Sequence, residues 1–208
     1  MGVNGSVETQ MVDSALKTWQ QGVDRATKLF GTLDEAGLQR EVAPGKNRLI
    51  YLYGHLAAVS DAMFAQLRLG ERLQPEFDAL FLKAPDKTVE LPSGAVVKST
   101  WEDVHDRLKV ELAKLSPAEW VERHAMVSEE DFAKEPHRNR FALLQSRMGH
   151  LAFHLGQAVL AKYEIERAVL QKKCLPMREA FFWSGEGMFR RLFAQKARGP
   201  RCGLPRLR

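Results

Sequence analysis

The sequence contains few cysteines and no long apolar run. Its 208 residues include two cysteines, Cys174 and Cys202, and neither has a second cysteine at CxxC spacing. Two cysteines are too few for a disulfide framework, so we interpret both as incidental thiols. No apolar run approaches the roughly 18 residues that a membrane span needs. The N-terminus lacks a basic patch followed by an apolar core, so we expect no signal peptide and a cytoplasmic location.

Motifs of several enzyme classes are also missing. There is no G-x-S-x-G sequence, which removes the nucleophile elbow of the α/β-hydrolases. The glycines of Gly185-Glu186-Gly187 lack the Lys-Ser/Thr pair and the preceding strand of a phosphate loop. Strand signals are nearly absent, since the one extended stretch, residues 89–94, is broken by Pro92 and Gly94.

Positive charge is distributed unevenly along the chain. The net charge is +5, but residues 168–208 hold ten Lys/Arg and two acids, which leaves residues 1–167 at −3. We therefore divide the chain into a domain, 1–167, and a basic, aromatic-containing tail, 168–208, whose last residues we expect to be disordered. A mildly acidic domain carries no electrostatic argument for nucleic-acid binding. For the aromatic tail we leave open an anionic membrane surface, a partner protein or an extra helix.

Four long segments repeat their apolar residues at steps of three and four, the period of an amphipathic helix. The predicted helices span about residues 8–33, 47–69, 100–115 and 139–167. Asn47 and Thr100 are the expected N-caps of the second and third helices, and Gly70 is the expected stop of the second. Burying four apolar faces in one core predicts an all-α, antiparallel four-helix bundle.

Two long connections, 70–99 and 116–138, separate these helices. The first contains one possible short helix at residues 76–82. The second opens with Ser116-Pro117-Ala118-Glu119, which combines an N-cap, a proline at the first helical position and an acid at the third. Ser128 begins another expected short helix. Long connections in a compact domain often shape a site.

Two histidines on the last long helix are the clearest candidates for chemistry. His150 and His154 are four residues apart, which places both imidazoles on one helix face with Cβ atoms roughly 5–6 Å apart. Their nitrogens can then converge on one ion at roughly 2.0–2.1 Å. Gln157 lies one turn further and can orient a ligand. Histidines without any ligand remain the alternative for such a pair.

A third histidine lies on the second helix. His55 neighbours the apolar residues of that helix, and an imidazole facing a core needs a partner for its nitrogens. A metal shared with His150 and His154 provides one, whereas a backbone carbonyl or a buried carboxylate is the alternative. Three nitrogen donors with open positions are typical of a catalytic metal site.

The remaining polar residues give weaker expectations. Asp61 is the nearest carboxylate to His55 on its helix, and Glu130, Asp131 and Glu135 lie in a connection that could reach the site. We expect His105 to be a solvated helix residue. We interpret residues 136–140, which include His137, as a solvated helix entrance, with an anion site as the alternative. His124 is a weak candidate for a functional histidine. Tyr51 and Tyr53 are assigned to packing.

The histidine segments resemble the two motifs of the DinB/YfiT-like family of metalloenzymes. His55 matches a histidine midway along the second bundle helix, and His150, His154, Gly156 and Gln157 match H-x-x-x-H-x-G-Q in the fourth. The resemblance covers roughly residues 8–167. It implies a homodimeric four-helix bundle that holds a divalent metal (zinc, nickel or iron) on His55, His150 and His154.

Relatives of this kind include thiol S-transferases and thiol-dependent isomerases. We therefore expect a metal-dependent enzyme that activates a low-molecular-weight thiol, or water, against a small-molecule substrate. The alternative is a non-catalytic helical binding or stress-associated protein.

Overall fold

The computed structural model describes the backbone of residues 6–182 and the side chains of residues 6–163. Contacts divide the chain into two units, Met1–Glu166 and Arg167–Arg208, and the description below concerns the first. The predicted tail, with both cysteines and its aromatic run, has no described side chains. Within residues 6–182 the structure is entirely helical and contains no β-strand.

Seven α-helices and one π-helical turn make up the described chain. The helices are α1 (Val7–Gly31), α2 (Glu35–Leu38), α3 (Leu49–Gln66), α4 (Gly94–Leu112), α5 (Pro117–Trp120), α6 (Glu129–Lys134) and α7 (Arg140–Phe182). The π-helical turn, Ala79–Lys83, lies where the sequence predicts a short helix. None of the described helices is both long and apolar enough to cross a membrane.

The predicted helices are present, but several of their ends were placed wrongly. Helix α4 begins after Ser93, whose hydroxyl accepts the Val96 amide, whereas Thr100 is a buried residue inside the helix. Helix α3 begins after Arg48, and Asn47 does not cap it. The backbone of α7 continues past the predicted end at 167 to Phe182. Ser116 and Ser128 cap α5 and α6 as predicted.

Helix α3 is the central element of the core. Twelve of its eighteen residues are buried, so it is enclosed on nearly all sides rather than along one stripe. It packs against α4 and the π-helical turn, while α1 packs against α4 and α5. Aromatic rings join these elements, since Tyr53 stacks on Phe30 at 4.2 Å and contacts Trp101 at 5.5 Å between ring centroids.

Helix α7 contacts both α1 and α3. The side chain of Leu151 lies against Gly22 of α1, where an added Cβ would come within 3.2 Å of it. Arg147 donates a hydrogen bond to the Gln66 amide oxygen at the end of α3, at 3.0 Å. The Leu151 side chain thus packs α7 against α1, and the histidines of α7 face α3.

Candidate metal centre

The π-helical turn fixes the position of His55. Gly54 has no side chain, and the ring of Phe81 occupies the space where a Cβ would lie, with the nearest ring carbon 2.2 Å from that position. This close approach brings the Phe81 carbonyl oxygen to 2.9 Å from Nδ1 of His55. A carbonyl only accepts, so Nδ1 carries the proton and Nε2 presents its lone pair.

The two histidines of α7 face the same point. Nε2 of His150 lies 3.2 Å from Nε2 of His55 and 3.1 Å from Nε2 of His154. The three ligand atoms all lie within 4.8 Å of one another. All three side chains are partly buried. The structure therefore brings together the three histidines that the sequence singled out, although His55 and His150 are 95 residues apart in the chain.

Gln157 orients the second of these histidines. Its amide oxygen accepts a hydrogen bond from Nδ1 of His154 at 2.8 Å. The proton of His154 is thereby held on Nδ1, and its Nε2 presents a lone pair, as in His55. Histidines that bind metals commonly donate their second ring N–H to a carbonyl or a carboxylate in this manner.

The arrangement fits a divalent metal ion. Two nitrogens at roughly 2.0–2.1 Å from one ion, in tetrahedral or octahedral geometry, lie about 2.9–3.4 Å apart, which matches the two measured distances. A neutral His150 has at most one proton on Nε2, so it cannot donate to both neighbouring lone pairs in linear hydrogen bonds. A cation placed between the three rings would accept a lone pair from each of them.

Burial favours the neutral forms of His55 and His150. It lowers the pKa of His150 to about 4, with the nearby His154, His55 and Arg147 adding to the effect. The pKa of His55 is also lowered, chiefly by burial, although its bond to the Phe81 carbonyl opposes the shift. Metal binding requires deprotonated imidazole, so at neutral pH these two rings need not release a proton first.

Comparison with known families assigns the chain. The sequence model of the DinB superfamily matches residues 18–158, which is more than half of the chain and includes all three histidines. The chain belongs to the DinB superfamily. No match was found among curated proteins. Metal binding is known in this superfamily, and the three converging histidines are compatible with it.

Asp61, the carboxylate nearest to His55 along α3, is used elsewhere in this DinB protein. It is fully buried and accepts hydrogen bonds from Nε of Arg72 at 2.9 Å and from two backbone amides at 2.8 and 3.2 Å. Arg72 in turn binds Asp78. Asp61 therefore ties the end of α3 to the loop that follows it.

The acids of the 116–138 connection form local contacts. Glu130 pairs with Lys134 and Glu135 with Arg138, while the side chain of Asp131 is exposed. Among the described residues, the group that could hold a metal contains histidines and no carboxylate. The expectation that these acids could reach the site thus gains no support.

The expectation for His105 was wrong. Its side chain is buried, its ring lies 3.8 Å from the Trp101 ring centroid, and its Nδ1 donates to the Trp101 carbonyl at 2.8 Å. The apolar face of α4 is wide enough to include a residue four positions after Trp101, which the sequence stripe did not reveal. Burial lowers the pKa of His105 to about 4.

The basic stretch 136–140 forms a helix entrance. Arg138 pairs with Glu135 at 3.0 Å, and Arg140 pairs with Glu122 at 3.1 Å, so both cations have acidic partners. The Asn139 side chain accepts the Ala142 amide at 2.9 Å and caps α7. His137 is exposed, and His124 is partly buried in the preceding loop; neither belongs to the histidine group.

Two features of the site were missed by sequence reasoning. The Phe81 carbonyl is a backbone group, and no side-chain pattern reports it. Arg147, which lies close enough to lower the pKa of His55 and His150, was overlooked although it stands three residues before His150 on α7. Its position three residues before His150, on the same helix face, was the sequence signal that could have revealed it.

Proposed function

We propose that this DinB protein is a cytoplasmic, divalent-metal-dependent enzyme whose metal is held by His55, His150 and His154. The observation that carries the proposal is the convergence of three Nε2 atoms, two of which have their Nδ1 protons committed to neighbouring oxygens. Zinc, nickel and iron all suit imidazole ligands. We further propose that the four long helices, α1, α3, α4 and α7, form an antiparallel four-helix bundle around the shared core.

The reaction that we propose is thiol transfer to a small electrophilic substrate. A divalent ion on neutral imidazoles lowers the pKa of a thiol or water that it coordinates and so supplies a nucleophile at neutral pH. Hydrolysis usually adds a carboxylate base near the metal. Asp61 is bound to Arg72, and the histidine group contains no carboxylate among the described residues. This favours a low-molecular-weight thiol over water as the nucleophile.

The chain's own residues hold the ligand set in place. The Phe81 carbonyl and the Gln157 amide oxygen each fix one imidazole through its Nδ1 proton. The ring of Phe153 packs against His154, with centroids 5.1 Å apart, and shields that imidazole from water on one side. Such outer contacts raise metal affinity by holding each ring in the geometry that coordination requires.

We also propose that the enzyme is a homodimer formed through the outer face of α7. Phe153, Leu160 and Tyr163 are 63%, 68% and 57% exposed and follow one another at steps of seven and three. Gly149 and Gly156 lie on the same face, and an added Cβ at either would meet nothing within 4 Å. An uncharged, apolar helix face suits a second copy, since pairing it with itself opposes no like charges.

Metal content is the decisive measurement. We expect the purified chain to hold about one metal ion per protomer by elemental analysis, and His150→Ala and His154→Ala to lose it. His137→Ala, which removes an exposed histidine outside the group, is the matched control and keeps the metal. A chain that is folded and stable without metal supports the alternative, a non-catalytic helical binding protein.

An activity assay follows once metal is found. Low-molecular-weight thiols are offered with 1-chloro-2,4-dinitrobenzene, where a sulfur–carbon bond forms, chloride leaves and the thiol proton passes to solvent. We expect turnover that is lost in His150→Ala and retained in His137→Ala. Equal rates with and without enzyme for every thiol tested contradict the transferase assignment.

A further inference from the structure

Arg147 is a cation with few partners beside the histidines. Of the five N–H donors of an arginine, one bonds to Gln66 at 3.0 Å, and this is its one hydrogen bond to the described residues. Its Nε is buried and has no hydrogen-bond partner there. No carboxylate of the described chain lies within salt-bridge distance of it, and burial lowers its pKa. A half-buried guanidinium without an anion is a costly arrangement unless a ligand supplies one.

The surroundings of Arg147 are positively charged. Its charge helps to lower the pKa of His55 and of His150. The pKa of His124 is lowered first by burial and then by the charges of four arginines, namely Arg138, Arg147, Arg123 and Arg68. Two of these arginines are compensated, since Arg123 pairs with Glu129 and Arg138 with Glu135. Arg68 also lacks an acidic partner among the described residues, but its side chain is exposed to water. Arg147 is the unpaired arginine that is half-buried, and it stands three residues before His150.

Charge balance at the site also calls for an anion. The three imidazoles are neutral when they bind a metal, and no carboxylate joins them among the described residues. A divalent ion would therefore leave two positive charges that no ligand side chain balances, and Arg147 adds a third. The thiolate nucleophile would balance one of these charges, and a second anionic group beside the guanidinium would balance another.

We propose that Arg147 binds the carboxylate of a small thiol whose sulfur reaches the three histidines, so that the co-substrate is a mercapto acid. This rests on the proposed function. A guanidinium and a carboxylate match in plane and in donor spacing, which makes arginine the residue suited to such a group. The N–H groups on its terminal nitrogens that Gln66 does not use provide the donors.

The test compares thiols that differ in one group. Binding of 3-mercaptopropionate and 2-mercaptoethanol to the zinc-loaded full chain is measured by calorimetry. We expect the carboxylate to improve affinity by about tenfold. Arg147→Met and Arg147→Gln abolish this preference while bound zinc and 2-mercaptoethanol affinity stay unchanged. Arg68→Met, the matched control, retains it. A preference that survives both Arg147 variants, or that Arg68→Met removes, overturns the proposal.

A second readout separates this proposal from the metal assignment. The Nε–H resonance of Arg147, assigned by its loss in Arg147→Gln, is followed by NMR as propionate is added to chelator-treated protein. A chain that holds none of zinc, nickel and iron refutes the proposed function, yet a propionate-dependent shift of that resonance still supports Arg147 as the carboxylate site. An unmoved resonance, or tighter binding of inorganic phosphate than of propionate there, overturns the inference.

Discussion

Replacing Gly54 by alanine tests the link between core packing and the proposed metal ligands. A Cβ at this position would lie 2.2, 2.3 and 2.5 Å from three ring carbons of Phe81, all below the shortest separation that real Cβ contacts show. The Phe81 ring is fully buried, so it must shift, and its backbone with it. The carbonyl that bonds Nδ1 of His55 belongs to that same residue.

The expected effects have two parts. Overpacking a core costs about 1–3 kcal/mol of unfolding free energy, and the better helix propensity of alanine returns about 1 kcal/mol. Loss of an outer hydrogen bond to a metal ligand lowers metal affinity by about 10–100-fold. We therefore expect Gly54→Ala to be destabilised by up to about 2 kcal/mol and to bind zinc at least about tenfold more weakly.

Zinc affinity is measured by competition with a chromophoric chelator, and stability by urea unfolding of the metal-free chain. Gly149→Ala is the matched control, because its Cβ would meet nothing within 4 Å of the chain and it should leave zinc affinity unchanged. Gly54→Ala combined with Phe81→Leu relieves the clash, and we expect it to recover much of the lost affinity. Normal zinc binding by the single variant refutes the argument that Phe81 positions His55.

Four further outcomes are expected. Burial holds the pKa of His105 well below its unfolded value, so protonation favours the unfolded chain and stability falls as pH drops. We expect His105 to cost about 2 kcal/mol of unfolding free energy between pH 7 and pH 5. His105→Gln should remove this loss in urea titrations at the two pH values. Asp61→Asn should cost about 1.5–3 kcal/mol, because it weakens a buried charge-assisted hydrogen bond while Arg72 keeps Asp78, yet metal content by elemental analysis should not change. Leu160→Glu should yield monomers in analytical ultracentrifugation and leave the melting temperature of the metal-free chain nearly unchanged. A dimer that persists in this variant contradicts the proposed interface. Zinc at 100 times its dissociation constant should raise the unfolding free energy by about 2.7 kcal/mol over chelator-treated protein, and His150→Ala should show no such gain.

The helices and the three histidines could be predicted because both depend on local spacing. Apolar residues at steps of three and four located all four long helices, and the interval of four placed His150 and His154 on one face. His55 was tied to them by the need of a core imidazole for a partner and by the motif resemblance. Its contact with the α7 pair is long-range in sequence, and the structure places Nε2 of His55 3.2 Å from Nε2 of His150.

Other features depend on contacts that spacing does not report. Ser93 caps α4 in place of Thr100 because the helix extends further toward the N-terminus, where Gly94 packs tightly against Leu38 of α2. His105 is buried because Trp19 of α1 and Trp101 of its own helix enclose the ring. Both facts follow from how α4 sits against its neighbours, and neither neighbour is identifiable from the α4 sequence.

The two sides of the histidine cluster differ in how they are held. His55 lies on a helix that is buried nearly all round, and its ring is fixed by a carbonyl from the π-helical turn. His154 lies on a helix with an exposed outer face and is fixed by Gln157 of the same helix. Rotation or displacement of α7 would carry His150, His154, Gln157 and Arg147 together, so the distance that can vary is the one across to His55. The ligand proposed for Arg147 and the proposed pairing of the α7 face would both act on that helix. Each would therefore change the distance between His55 and the α7 histidines.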